Sequence, residues 1–221
     1  MKKKIYRRFN LKDIWDVENN FYLRSDVSRL NKLICHYEIF KKTLKVPGSI
    51  VECGVFKGIS LIRFLTFRDL FFQQKKVIGF DAFGRFPKQE IKEDNNFALY
   101  HDTKTGIGLK EKVLKKFLKK KNFKNFQLIK GNIEQTIPKF LKKNKKLKIS
   151  FLHLDLDVYK PTSFALEKLY KKVSKNGIIL IDDYGQLKGA TKATKNFLKK
   201  NKKLKIQRLS FDKRLYFIEK K

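Results

Sequence analysis

Apolar residues along this chain follow two rhythms. Short unbroken runs at 49–55 (SIVECGV), 76–80 (KVIGF), 126–129, 149–154 and 178–181 have the length and β-branched content of strands buried on both faces. Between them the apolar positions return every three or four residues. Val27, Leu30, Leu33, Ile34, Tyr37, Phe40 and Leu44 predict an amphipathic helix over 27–44. Further helices are predicted from the glycines at 54 and 58 to about Phe72, over 109–121, over about 134–141, between the last two runs as far as Asn176-Gly177, and over 185–200. Segments 205–210 and 214–219 read as a closing antiparallel hairpin around Asp212-Lys213. Residues 82–108 are polar, carry Pro87 and Asn95-Asn96, and are expected to be an irregular binding loop or lid. Residues 1–20 are basic and mixed, an arm with one short helix. Strand and helix alternate five times, which predicts an α/β domain with parallel, adjacent strands. No repeat or linker divides it. The expected organisation is an N-terminal arm and helix over 1–45 and one domain over 46–221.

Chemistry collects where the strands end. The run at 149–154 ends in Asp155-x-Asp157, and the run at 178–181 ends in Asp182-Asp183. In an open parallel sheet these ends share the edge where ligands bind. Four converging carboxylates repel one another unless something neutralises them, and a hard divalent cation with oxygen ligands is the natural candidate. The plainer alternative is that one or two of them only cap helices or face solvent. No Cys or His accompanies the acids in the sequence, which disfavours zinc. The first strand runs into Gly54-Val-Phe-Lys-Gly58-Ile-Ser60, a strand–glycine–helix entrance of the kind that receives nucleotides. The spacing is not G-x-G-x-x-G, so a dinucleotide fingerprint is absent. Asp81 ends the second strand, where an acid can take ribose hydroxyls or merely open a loop. His153 reads as a hydrogen-bonded core histidine and His36 as a surface or packing residue. His101 and Asp102 fall in the polar segment and are expected to be solvated.

Composition refines this picture. The 221 residues suffice for one large domain, and 42% hydrophobic content argues for a folded globule. No apolar run approaches the ~18 residues of a membrane span. The basic start is followed by no apolar stretch of the secretory type, and Cys35 and Cys53 sit apart in apolar settings, so a cytoplasmic protein with reduced thiols is expected. The net charge of +33 invites a nucleic-acid reading. Only nine of the basic residues are arginine, however, and the other 45 are lysines spread over every predicted helix. Phosphate and base recognition favours the arginine fork, so a specific nucleic-acid site is not expected. The charge should still draw anionic small molecules.

Four stretches together resemble a known family: 46–60 (VPGSIVECGVFKGIS), 79–87 (GFDAFGRFP), 153–162 (HLDLDVYKPT) and 177–185 (GIILIDDYG). They are similar to the macrocin/mycinamicin-type sugar O-methyltransferases, within the class I S-adenosylmethionine-dependent methyltransferases. The resemblance covers about residues 25–200. It implies a three-layer, Rossmann-like α/β sandwich with a mostly parallel seven-stranded sheet in the order 3-2-1-4-5-7-6 and an antiparallel C-terminal strand. It implies methyl transfer from S-adenosylmethionine to a sugar or nucleotide-sugar hydroxyl, assisted by Mg²⁺, in a homodimer. Glu52, Gly54, Gly58, Ser60 and Asp81 would then hold the cofactor, Gly131, Asn132 and Ile133 would flank its adenine, and Asp155 would touch both cofactor and metal. Asp155, Asp182 and Asp183 would hold the metal, and Asp157 matches the position of a general base. Two positions depart from the family: Ile59 follows Gly58 where a second glycine is common, and Asn132 stands where an aromatic residue is common. Residues 85–108 carry no acceptor identity across. The competing readings are an RNA-binding protein or RNA methyltransferase on the same fold, a non-catalytic cofactor-binding relative, and a metal-dependent catechol methyltransferase.

Overall fold

The computed structural model describes residue 10 and residues 12–221. Seven strands form one sheet: β1 (Ser49–Cys53), β2 (Val77–Asp81), β3 (Phe126–Lys130), β4 (Ile149–Leu154), β5 (Val173–Ile181), β6 (Ile206–Gln207) and β7 (Tyr216–Glu219). Their order is β3-β2-β1-β4-β5-β7-β6, with β1 to β5 parallel and β6 and β7 antiparallel, as expected. The helices are α1 (Ile14–Arg24), α2 (Val27–Lys41), α3 (Ile59–Leu70), α4 (Lys92–Thr105), α5 (Glu111–Lys120), α6 (Ile133–Lys143), α7 (Tyr159–Leu169) and α8 (Lys188–Lys200). Among the described residues no helix is long and apolar enough to cross a membrane. Both cysteines are free and buried.

Two hydrophobic clusters lie on opposite faces of the sheet. Ile39 and Phe40 of α2, Phe64 and Leu65 of α3 and Leu118 of α5 pack with Ile50, Phe151, Ile178 and Leu180. Ile137 of α6, Leu166 of α7 and Phe197 of α8 pack with Val51, Leu152, Ile179 and Ile181. Strand residues alternate between the two clusters because side chains alternate across the pleat. The sheet is therefore a buried layer between two helical ones.

Three elements differ from the sequence reading. Residues 92–105 form α4 rather than irregular chain. This helix buries only Asp94 and Ala98, so it lacks the apolar stripe that would reveal it. Glu93 and Asp94 in its first turn favour it through the helix dipole, and Gly106 ends it at φ +76. β5 begins at Val173, ahead of the apolar run, because the pairing with β4 shifts register between Ile149 and Phe151 and leaves Asn176 at φ +61. The C-terminal hairpin has no tight turn. Asp212 is buried in the connection and accepts from the Arg214 N–H at 3.0 Å and from Asn31 Nδ2 at 2.6 Å.

Candidate active site

The carboxyl ends of β1, β2, β4 and β5 open into a cavity of about 630 Å³, within the range of sites that enclose a small organic ligand. Its floor is the turn after β1. Gly54 sits at φ +89, and its N–H donates to Phe80 O at 2.9 Å. Asp81 braces the next two residues: Oδ2 accepts from the Val55 and Phe56 N–H groups at 2.8 and 2.9 Å, and Oδ1 accepts from Phe83. A carboxylate carries about four acceptor sites, so Asp81 keeps capacity for a ligand hydroxyl. Phe56, Phe83 and Asp157 all have φ between 51 and 63°. Such left-handed non-glycine residues in the loops after β1, β2 and β4 are strain of the kind that collects at functional sites.

Asn132 caps α6, its Oδ1 accepting from the Glu134 N–H at 2.9 Å, and it lines the cavity with Gly131 and Ile133. The polar residue at this departure from the family pattern thus has a local structural task. His101 and Asp102 also line the cavity rather than facing open solvent. Asp102 accepts from the Phe86 N–H, and the His101 ring lies 5.1 Å from that of Phe56. The lid helix is anchored at its other side by buried Asp94, whose Oδ2 accepts from the Tyr159 N–H at 2.8 Å. Gly189 makes room for this contact: a Cβ there would lie 2.7 Å from Asp94 Oδ1 and 2.6 Å from Tyr159 N.

The four acids at the ends of β4 and β5 separate into two groups. One oxygen each of Asp155, Asp157 and Asp183 lie within 4.8 Å of one another. Asp183 Oδ2 also accepts from the Asp157 N–H at 3.0 Å. Burial first, and then repulsion from neighbouring carboxylates, raises all three above the ordinary range, Asp157 to about 7. Asp182 turns elsewhere. Its Oδ2 accepts from Lys32 Nζ, and its Oδ1 stands 3.9 Å from His36 Nε2 and 3.8 Å from His153 Nε2. Burial would raise Asp182, but His153, His36 and Lys32 outweigh it and hold it well below the usual range. His153 Nδ1 lies 2.9 Å from Glu52 Oε1, both side chains being fully buried. Against the cost of burial, Asp182 and Glu52 push His153 up to about 9, whereas burial pushes His36 down to about 3.

A sequence model of the family described as Macrocin-O-methyltransferase (TylF) matches residues 26–217. The chain belongs to this family of O-methyltransferases. It is 28% identical over 149 residues to the demethyldecarbamoylnovobiocin O-methyltransferase of Streptomyces niveus, covering 63% of this chain and 53% of that protein, so it spans about half the length of this curated relative. The crystal structure of the calicheamicin methyltransferase CalS11 superposes with a TM-score of 0.78 at 21% identity, covering 98% of this chain and 89% of that one. An apo structure of CalS11, there called a TDP-rhamnose 3'-O-methyltransferase, gives 0.73 at 21% identity over 98% and 90%. These neighbours share the class I methyltransferase fold.

Against the family pattern, Gly54, Asp81, Gly131, Asn132, Ile133, Asp155, Asp157, Asp182 and Asp183 all line the cavity. Three expected cofactor residues do not. Glu52 lies one pleat below the edge on the α2 side and is committed to His153. Gly58, at φ +85, starts α3, and a Cβ there would meet Leu114 Cδ1 at 2.6 Å, so this glycine serves the packing of α5. Ser60 lies in the first turn of α3 away from the cavity. Of the expected metal residues, Asp155 and Asp183 stand together with Asp157, while Asp182, in the turn just beyond β5, accepts from Lys32 of α2 and still lines the cavity. Two histidines do accompany the acids, contrary to the sequence reading, although of the four strand-end acids both stand near Asp182 only. Lys32 was missed. Its only trace in the sequence is its place one turn before His36 on the same side of α2.

Proposed function

We propose that this protein transfers a methyl group from S-adenosylmethionine to a sugar hydroxyl with the assistance of Mg²⁺. The observation that carries the reading is a single cavity, in a chain of this family, joining the Gly54 turn to the Asp155–Asp157–Asp183 cluster. Bound S-adenosylmethionine supplies the electrophilic methyl group, and a bound divalent cation supplies positive charge where the acceptor oxygen turns anionic. The residues suit both. The Gly54 turn, braced by Asp81, and residues 131–133 frame the cofactor. Three mutually repelling, oxygen-only donors fit a hard cation that keeps some of its waters. Asp155 and Asp183 hold that cation, and Asp157, on the curl beyond β4, accepts the acceptor's proton.

The acceptor is a sugar carrying phosphate, such as a nucleotide-activated deoxysugar. Arg29, Arg85, Lys88 and Arg214 line the cavity and form no ion pair among the described residues. The printed activity of CalS11 on TDP-rhamnose is in keeping with this. The protein works in the cytoplasm as a homodimer. Support for the dimer comes from α1, which buries no residue and leaves Ile14 77% and Trp15 70% exposed.

The test is incubation with labelled S-adenosylmethionine and a panel of nucleotide-activated deoxysugars and neutral glycosides, with and without EDTA. Label should pass to a nucleotide sugar, and chelation should abolish it. Full turnover in excess EDTA ends the metal assignment. Label on RNA or a catechol, and on no sugar, ends the sugar reading. Asp157→Asn should keep the cation and lose rate; undiminished turnover removes Asp157 as base.

A further inference from the structure

Helix α2 lies outside the sheet, yet it delivers a cation to the carboxylates. The Lys32 side chain is only 23% exposed, donates to Asp182 Oδ2, and stands 4.0 Å from Asp155 Oδ2. Behind Asp182, His153 and Glu52 form a second buried pair at 2.9 Å. Lys32, Asp182, His153 and Glu52 thus form one buried chain of polar contacts. Among the described residues Asp157 and Asp183 form no ion pair, and Asp155 meets only Lys32, at 4.0 Å, while that ammonium donates to Asp182. Asp182 is the boundary between the two groups: it lines the same cavity, and its charge acts on Asp155, Asp157 and Asp183.

We propose that Lys32 is a positioning residue of the active site, whose ammonium competes with a divalent cation for Asp182 and so sets how tightly the carboxylate cluster holds that cation. The inference rests on the metal-assisted reading above. With Lys32 in place, Asp182 is engaged and the cluster faces a fixed positive charge. Without it, Asp182 is released as a further acidic donor and the repulsion is gone. Removing a unit charge that faces the cluster in a partly screened site changes dication affinity by roughly tenfold or more. Both consequences strengthen cation binding. A merely structural loss, with α2 undocked, would weaken it or leave it alone, so the sign of the change separates the two.

The experiment uses the full chain with S-adenosylhomocysteine present and Mn²⁺ as the probe, free Mn²⁺ being read by electron paramagnetic resonance. Lys32→Met should bind Mn²⁺ about tenfold more tightly than wild type. Lys32→Gln, which keeps a hydrogen-bond donor without the charge, should do the same if the methionine variant folds poorly. Lys32→Arg should stay near wild type, as should Lys41→Met on the outer side of the same helix. Calorimetry should show S-adenosylhomocysteine affinity unchanged in all of them. Equal or weaker Mn²⁺ binding by folded Lys32→Met and Lys32→Gln overturns the role of Lys32 while leaving the metal reading intact. Absence of Mn²⁺ binding in wild type and variants alike overturns both.

Discussion

Substitution of Gly54 by alanine tests the geometry of the whole site with one methyl group. An added Cβ would stand 1.7 Å from the Asp155 carbonyl oxygen and 2.6 Å from its carbon, both backbone atoms. Ordinary contact begins near 3.4 Å, so the end of β4 would have to retreat by about 1.7 Å, far more than a packed interior absorbs without cost. That retreat opposes two ladder bonds of 2.9 Å, Asp155 N–H to Cys53 O and Gly54 N–H to Phe80 O. The left-handed backbone adds about 1–2 kcal/mol for any residue with a Cβ, and forced overpacking adds about 1–3 kcal/mol. A destabilisation of about 3 kcal/mol follows, which in a domain of this size lowers Tm by about 6–12 °C. Because the residue that moves carries a carboxylate of the cluster, cation and cofactor binding should fall together. Gly84→Ala is the matched control, since it also lines the cavity and a Cβ there meets nothing within 4 Å. Thermal unfolding by circular dichroism and calorimetry with S-adenosylmethionine read both effects. If Gly54→Ala melts within about 2 °C of wild type and binds as tightly, the close approach of β1 and β4 described here is wrong.

Asp81→Ala removes three backbone hydrogen bonds to a charged acceptor and should cost roughly 2–4 kcal/mol while weakening S-adenosylmethionine binding; calorimetry giving wild-type affinity would take Asp81 out of the site. His153→Ala leaves Glu52 buried without its partner and should cost about 3–5 kcal/mol in urea unfolding, whereas a loss below about 1 kcal/mol would mean that the pair is not buried as described. Light scattering should give a dimer at micromolar concentration, and replacing Ile14 and Trp15 by serine should shift it to monomer; a wild-type monomer contradicts the α1 interface.

The parts legible in the sequence were those whose signal is local. The runs that became β1, β2, β4 and β5 are apolar on both faces, and their acidic or glycine ends mark the ligand edge without any tertiary information. α4 was not legible because a helix that closes over a cavity buries little apolar surface; Ala98 is its single buried hydrophobe. The division of the acids was hidden for a different reason. Asp182 and Asp183 look equivalent in the chain, and only the turn that follows β5 sends the first toward Lys32. Glu52 and His153 lie 101 positions apart, and their pairing depends on the parallel register of β1 with β4.

The anchor of α4 divides the lid into what must stay and what is free to vary. Asp94 holds the helix to the start of α7, two residues beyond Asp157, and Gly189 exists to admit it. The rest of the helix faces largely outward, with Leu99 and Tyr100 each more than 60% exposed. The Asp94 anchor lies apart from these outward-facing positions of α4. A segment exchanged with a relative's over residues 85–108, with Asp94 and Gly189 retained, should import a new acceptor range without resetting the position of Asp157. On this view the segment over 85–108 is an interchangeable cassette, held to the reaction centre by one buried carboxylate.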